Sequence, residues 1–257
     1  MPKSRTFEEV VAIQPAKSLS EQFLEIAKVL YGGWEICTED RNYEIIEAEF
    51  LLCTKDETHP DPNIDKSPLQ YTTGNWYIPH GKIDITIGCE SYAAAVFIRS
   101  VRDLKTGEDT VGPNRSFEKL FQNAGNIQTG QSQVVFQPLD SFKRINVFAV
   151  PRVSVQFEER STNKENRMKF LFRPYRIIRS DMLDFPDKYL SQLYLEKAHN
   201  SSHHIELSSS IYAKYLKHFD MGRKAYHLDE IWRVSSKSLR TAAVLGYVYE
   251  NHRSDLY

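Results

Sequence analysis

Residues 43–53 read Tyr-Glu-Ile-Ile-Glu-Ala-Glu-Phe-Leu-Leu-Cys. β-Branched and aromatic side chains dominate the run, which favours a strand. Alternation along a strand puts Glu47 and Glu49 on one face and Ile46, Ala48 and Phe50 on the other. Two acids on an apolar strand must be solvated at an edge, paired with cations or lining a pocket, because burying an isolated carboxylate is costly. A wet strand face accounts for them without any function. A pocket accounts for them with one.

The surroundings extend the pattern in both directions. Upstream, Ser18-Leu-Ser-Glu21 has the form of a capping box. Phe23, Ile26, Ala27 and Leu30 then recur at helical spacing before Gly32-Gly33, which predicts a helix over 19–31. Downstream, strand-type runs occupy 82–89, 93–101, 145–155 and 167–178. Residues 54–75 form a long polar loop with three prolines, and Gly112-Pro113 opens a short helix over Phe-Glu-Lys-Leu-Phe-Gln. From about 181 the spacing turns helical, over 183–199, 209–219 and 228–251. The chain is therefore expected to be α+β: a mixed, largely antiparallel sheet core over 1–180, with a helical C-terminal extension over 181–257 packed on it.

Composition narrows the class. With 257 residues, 41% hydrophobic and 26% charged, this is an ordinary globular chain rather than a disordered, collagen-like or disulfide-stapled one. No stretch approaches the roughly 20 apolar residues of a membrane helix, and the charged start lacks the apolar core of a signal peptide. Three cysteines without paired spacing suggest reduced thiols and a cytoplasmic protein. Nothing suggests a membrane partner, and a monomer is expected.

The net charge of -1 conceals an asymmetry. Residues 1–139 carry 13 Lys and Arg against 20 Asp and Glu, whereas 140–257 carry 20 against 14. Ten of those cations fall in 142–180 (Lys143, Arg144, Arg152, Arg160, Lys164, Arg167, Lys169, Arg173, Arg176, Arg179), opposed by three acids. Such a stripe either attracts a polyanion or guards an edge strand against aggregation.

Familiar catalytic motifs are missing: the sequence has no GxxxxGK[ST], GxGxxG after a strand, GxSxG, CxxC or HExxH. His203-His204 reads as a surface pair. Neither a metal nor a cofactor is implied. What remains is a cluster of ionisable groups between 44 and 99. Asp84 and Thr86 share a strand face, and Arg99 ends an apolar strand where it can pair with a neighbouring carboxylate. The long loop supplies His59, Asp61 and Asp65, and Trp76-Tyr77-Ile78-Pro79-His80-Gly81 has the form of a hairpin tip. Carboxylates, a histidine and aromatics around a long loop suit a hydrolytic pocket for a flat ring.

The order of these features resembles the alkyladenine (3-methyladenine) DNA glycosylases. The resemblance runs over about 20–178: the helix ending Leu30-Tyr31-Gly32-Gly33, the strand Ile45–Leu51, the Asp/His loop, the aromatic hairpin and following strand, Ile98-Arg99, Gly112-Pro113, Pro151-Arg152-Val153-Ser154-Val155, and Arg173-Pro174-Tyr175. It implies a sheet core of that family's type and hydrolysis of an N-glycosidic bond to a base flipped out of DNA. On this likeness Glu49 is the catalytic base; Glu47 and Asp84 are expected beside it as further catalytic acids. His59, Asp61, Leu51, Tyr77 and Thr86 line the base pocket. Pro79 and His80 form the wedge, and Arg99, Arg152, Arg173 and Arg176 meet the DNA backbone. Leu51 stands where the family stacks a tyrosine on the base, Thr86 replaces a screening asparagine, and Asp84 adds a carboxylate. These departures imply a modified base other than 3-methyladenine, such as a modified cytosine of phage DNA in antiviral defence. No lysine stands by the acids to form a Schiff base, so a monofunctional enzyme that leaves an abasic site is expected. Two other functions fit the same residues: a non-enzymatic nucleic-acid-binding module and a small-nucleoside N-glycosidase.

Overall fold

The computed structural model describes residues 6–14, 17–122, 134–152, 170, 172–198 and 204–253. The chain forms two compact units, Met1–Ala149 with Tyr175–Met182, and Val150–Pro174 with Leu183–Tyr257. Of the described residues, 150–152, 170 and 172–174 therefore group with the C-terminal helices.

The first unit carries the sheet. Its helices are α1 (Phe7–Val11), α2 (Leu19–Gly33) and α3 (Pro113–Phe121). Its strands are β1 (Trp34–Cys37), β2 (Asn42–Thr54), β3 (Thr73–Tyr77), β4 (Asp84–Ile87), β5 (Tyr92–Asp103), β6 (Asp109–Val111), β7 (Val135–Pro138), β8 (Val147–Val150) and β9 (Arg176–Arg179). The main order is β3-β4-β5-β2-β1-β7, with β6 on β5, β9 on β2, and β8 on β9. Pairings among β1 to β7, and of β2 with β9, are antiparallel. The fold is thus α+β with a curled antiparallel sheet. β3 and β7 end the order on opposite sides, yet the Trp76 indole N–H donates to the Val134 carbonyl at 2.8 Å. That bond draws the two ends together.

Helix α2 seals one face of the sheet. Phe23 stacks on Phe50 at 4.9 Å and meets Tyr175 edge-on at 4.9 Å, and the Tyr31 hydroxyl donates to the Ile177 carbonyl at 3.0 Å. The expected capping box does not form: Ser18 makes no side-chain cap bond. Gln22 instead binds Gln14 through both its amide oxygen and its amide nitrogen. Gly32 lies in the last helical turn, where a β-carbon would collide with the Lys143 carbonyl.

Strand β2 is buried along its whole length after Asn42. A wet face for its acids is therefore excluded, because both sides of the strand are covered. The expected strand over 145–155 is seen as β8, and 153–155 lie outside the described residues. In the run expected over 167–178, residues 167–169 and 171 lie outside them, and among the described ones the strand β9 begins at Arg176.

In the second unit, α4 (Lys188–Lys197), α5 (Ser209–Lys224), a 3-10 turn (Leu228–Arg233) and α6 (Lys237–Asn251) enclose Leu193, Tyr194, Phe219, Ile231, Ala243 and Leu245. Helices α5 and α6 approach through small residues. A β-carbon on Gly222 would strike the Ala243 carbonyl, and one on Gly246 the Phe219 carbonyl. No helix among the described residues is long and apolar enough to cross a membrane.

Candidate active site

Strand register builds the site. Tyr77 pairs with Asp84, Asp84 with Phe97, Phe97 with Glu49, and Glu49 with Arg176. Residues opposite one another across a ladder share a face, so these five form one row over five strands. Neighbouring strands lie about 4.8 Å apart, which separates the Asp84 and Glu49 backbones by about 10 Å. The Phe97 ring lies between them, with the Arg99 guanidinium and the Lys82 ammonium each 5.7 Å from its centre.

A local defect aims the charges. The β2–β5 ladder runs in one register through Tyr43–Ile45 and in the same register again from Ala48, but between them Glu47 pairs with Ser100. Ile46 and Arg99 are the extra residues, one on each strand. Such bulges re-aim side chains. Here Arg99 reaches both acids, placing Nε 3.0 Å from Glu47 and Nη1 3.0 Å from Glu49.

Glu47, expected beside Glu49 as a catalytic acid, sits in a buried ion-pair network with Arg99 and Arg176. It is 0% exposed. One oxygen receives Nε of Arg99 and, at 2.6 Å, Nε of Arg176; the other receives the Ser100 hydroxyl at 2.5 Å. Burial pushes this carboxyl up, but Arg176, Arg99 and Ser100 more than reverse it, and it lies below its ordinary value.

Asp84 is the contrasting acid. It is 2% exposed, and its Oδ1 is buried without a hydrogen-bond partner. Burial first, then the charges of Asp65 and Glu49, push its carboxyl up to about 7, with Lys82 pulling the other way. Asp65 also accepts the Tyr77 hydroxyl at 3.1 Å. Burial and that bond raise the Tyr77 phenol.

The other expected pocket residues divide. His59 and Asp61 are buried at the base of the long loop, with the His59 ring 5.8 Å from Tyr175 and Asp61 accepting two bonds from Asn63. Leu51 belongs to an apolar cluster with Cys53, Ile64, Ala93 and Phe97. Thr86, expected to line the base pocket, is fully buried and accepts the Asn75 amide at 3.0 Å where the β3–β4 ladder breaks register. Pro79 and His80 do form a hairpin tip. His80 is exposed with φ 52° and Gly81 follows at φ 71°.

The expected DNA-contacting arginines are mostly covered. Arg99, Arg152 and Arg176 are buried. Arg99 and Arg176 are committed to Glu47, and freeing a buried guanidinium would strand its carboxylate. Arg173 is half-buried, 4.9 Å over the Phe170 ring. Arg179 also turns inward, 2.6 Å from Glu44 and 2.6 Å from Asp181. In the described part of the basic stripe, only Lys143 and Arg144 are exposed cations, and Arg160, Lys164, Arg167 and Lys169 lie outside it. Phe97, Lys82 and Ser100 were not among the expected residues. They become visible only once strand register is known.

Among the described residues no three His, Cys, Asp or Glu converge as a metal ion would require. No family model and no curated protein matches the chain.

Proposed function

We propose that this protein is a monofunctional DNA glycosylase that hydrolyses the N-glycosidic bond of a modified base flipped out of DNA and leaves an abasic site. The observation that carries the proposal is the Asp84–Phe97–Glu49 row, which sets a protonatable carboxyl with one unpartnered oxygen and an arginine-paired carboxyl on one face, either side of an aromatic ring. Two acids in contrasting environments suit a reaction needing both a proton donor and a proton acceptor. Glu49 takes a proton from water as its oxygen attacks C1′. The C1′–N bond breaks with its electron pair going to the base, and Asp84 protonates the departing nitrogen. Tyr77 closes the outer end of the row, and His80 on the hairpin tip is the wedge into the duplex. The order of motifs along the chain supports the same reaction. The added carboxylate at Asp84 and the aliphatic Leu51 favour a polar modified base over 3-methyladenine, with modified cytosine of phage DNA as the class to test first.

The test is abasic-site formation on DNAs carrying alkylated, deaminated, hydroxymethylated or glucosylated bases. Release of one base, abolished in Glu49→Gln, is expected. The complete pairing of Glu47, together with the Arg99–Glu49 contact, favours a second reading in which the acids are structural and the protein only binds nucleic acid. Silence on every DNA, with binding retained in Glu49→Gln, would establish that reading instead.

A further inference from the structure

Where the ends of the curled sheet meet, four aromatic side chains gather: Phe7 from α1, Trp34 from β1, Trp76 from β3 and Phe136 from β7. They line a cavity of about 330 Å³, at the small end of ligand pockets. All four are only partly buried, which is unusual for so many large rings in one place. The rings pack on one another. Trp34 and Phe136 stack at 5.2 Å with 26° between planes. Phe7 stands across both, at 68° and 89°, and Trp76 lies at 66° to Phe136. The exposed Glu8 and Asn75 join Gly74, Ile85, Val134 and Val135 in the lining, and none of the described lining residues is basic.

We propose that this cavity binds the alkylammonium head of an organic cation. Aromatic faces carry the negative lobe of the ring quadrupole, and a cation held within about 6 Å of several rings gains from each of them. Tryptophan is the strongest contributor, and two are present. Glu8 adds a full negative charge at the rim. A neutral ligand would gain burial alone. The site shares no residue with the Asp84–Glu49 row and does not depend on the glycosylase reading.

Two of the chain's three tryptophans line the cavity, so their emission reports on it. In the full-length chain carrying Trp232→Phe, fluorescence is titrated with tetramethylammonium, choline, a peptide containing trimethyllysine, and 3,3-dimethyl-1-butanol, the uncharged carbon analogue of choline. Saturable quenching by at least one cation is expected, with the neutral analogue at least about tenfold weaker. Choline matching the peptide points to a free small molecule, and a much tighter peptide points to a modified side chain; either supports the site. Glu8→Gln, a change at an exposed position, should weaken the cation about fivefold and leave the melting temperature unchanged. Equal affinity for the neutral analogue, an unchanged affinity in Glu8→Gln, or no saturation by any cation overturns the proposal.

Discussion

Asp84 and Glu47 face the same sheet core and respond to pH in opposite directions. Asp84 titrates near 7 in the folded chain against an ordinary 3.8. Between those values the unfolded chain has lost the proton that the folded chain keeps, so stability falls as pH rises and the full penalty is present above 7. Asp84→Asn should therefore raise stability at pH 8 by up to about 4 kcal/mol and leave it nearly unchanged at pH 3, as read from urea unfolding at both. If Asp84 is the proton donor, base release by the parent protein declines above pH 7, and Asp84→Asn loses that limb together with most of the rate. Glu47, lowered on folding, contributes stability that is present above the ordinary glutamate value and lost as pH falls through its folded value. Glu47→Gln removes the buried carboxylate that Arg176 and Arg99 share and should cost about 3–5 kcal/mol in the same assay at neutral pH.

Elements differ in how much of them could be read in advance. Helix α2 and strands β2 and β5 announce themselves through the long apolar set that each buries, and the four-residue β4 through its alternating isoleucines. Strands β1, β6 and β7 have three or four residues each and hold their place through partners far along the chain, so local pattern is silent about them. The Ser18 cap fails for a related reason: the pattern is present, but Gln22 takes over the tie to the preceding turn. Ser18→Ala should consequently cost less than the roughly 1 kcal/mol of a working N-cap, measured by thermal unfolding. In the second unit, the crossing of α5 and α6 rests on absent side chains. Gly222→Ala or Gly246→Ala should destabilise those helices by about 1–3 kcal/mol, seen as faster amide exchange in 209–224 and 237–251 with the sheet unaffected.

At the scale of the whole molecule, charge shows how far a sequence can be taken. The stretch 142–180 looks like a basic face when counted, but Arg176 and Arg179 are spent on Glu47 and Glu44, and those acids lie about 130 residues away. A one-dimensional tally has no means of pairing them. The acids themselves were legible as a group needing partners, and Arg99 as a candidate partner; the division of labour between Glu47 and Glu49 was not, because it follows from the bulge. If the protein acts on DNA, Arg144→Glu should weaken binding at low salt without affecting folding. Arg176→Ala should lower the melting temperature outright.

The bulge has a consequence for how this chain tolerates insertions and deletions. Ile46 and Arg99 are single extra residues on facing strands, and the ladder resumes its earlier register beyond them. Removing one alone would slip half of the β2–β5 pairing by a residue and turn its apolar side chains to the wrong face. Removing both would leave the ladder continuous and the flanking core in place, yet without the guanidinium that joins the two glutamates. Two deletions, each ruinous alone, should thus be far better tolerated together, and a lineage in which either residue is missing should lack the other as well.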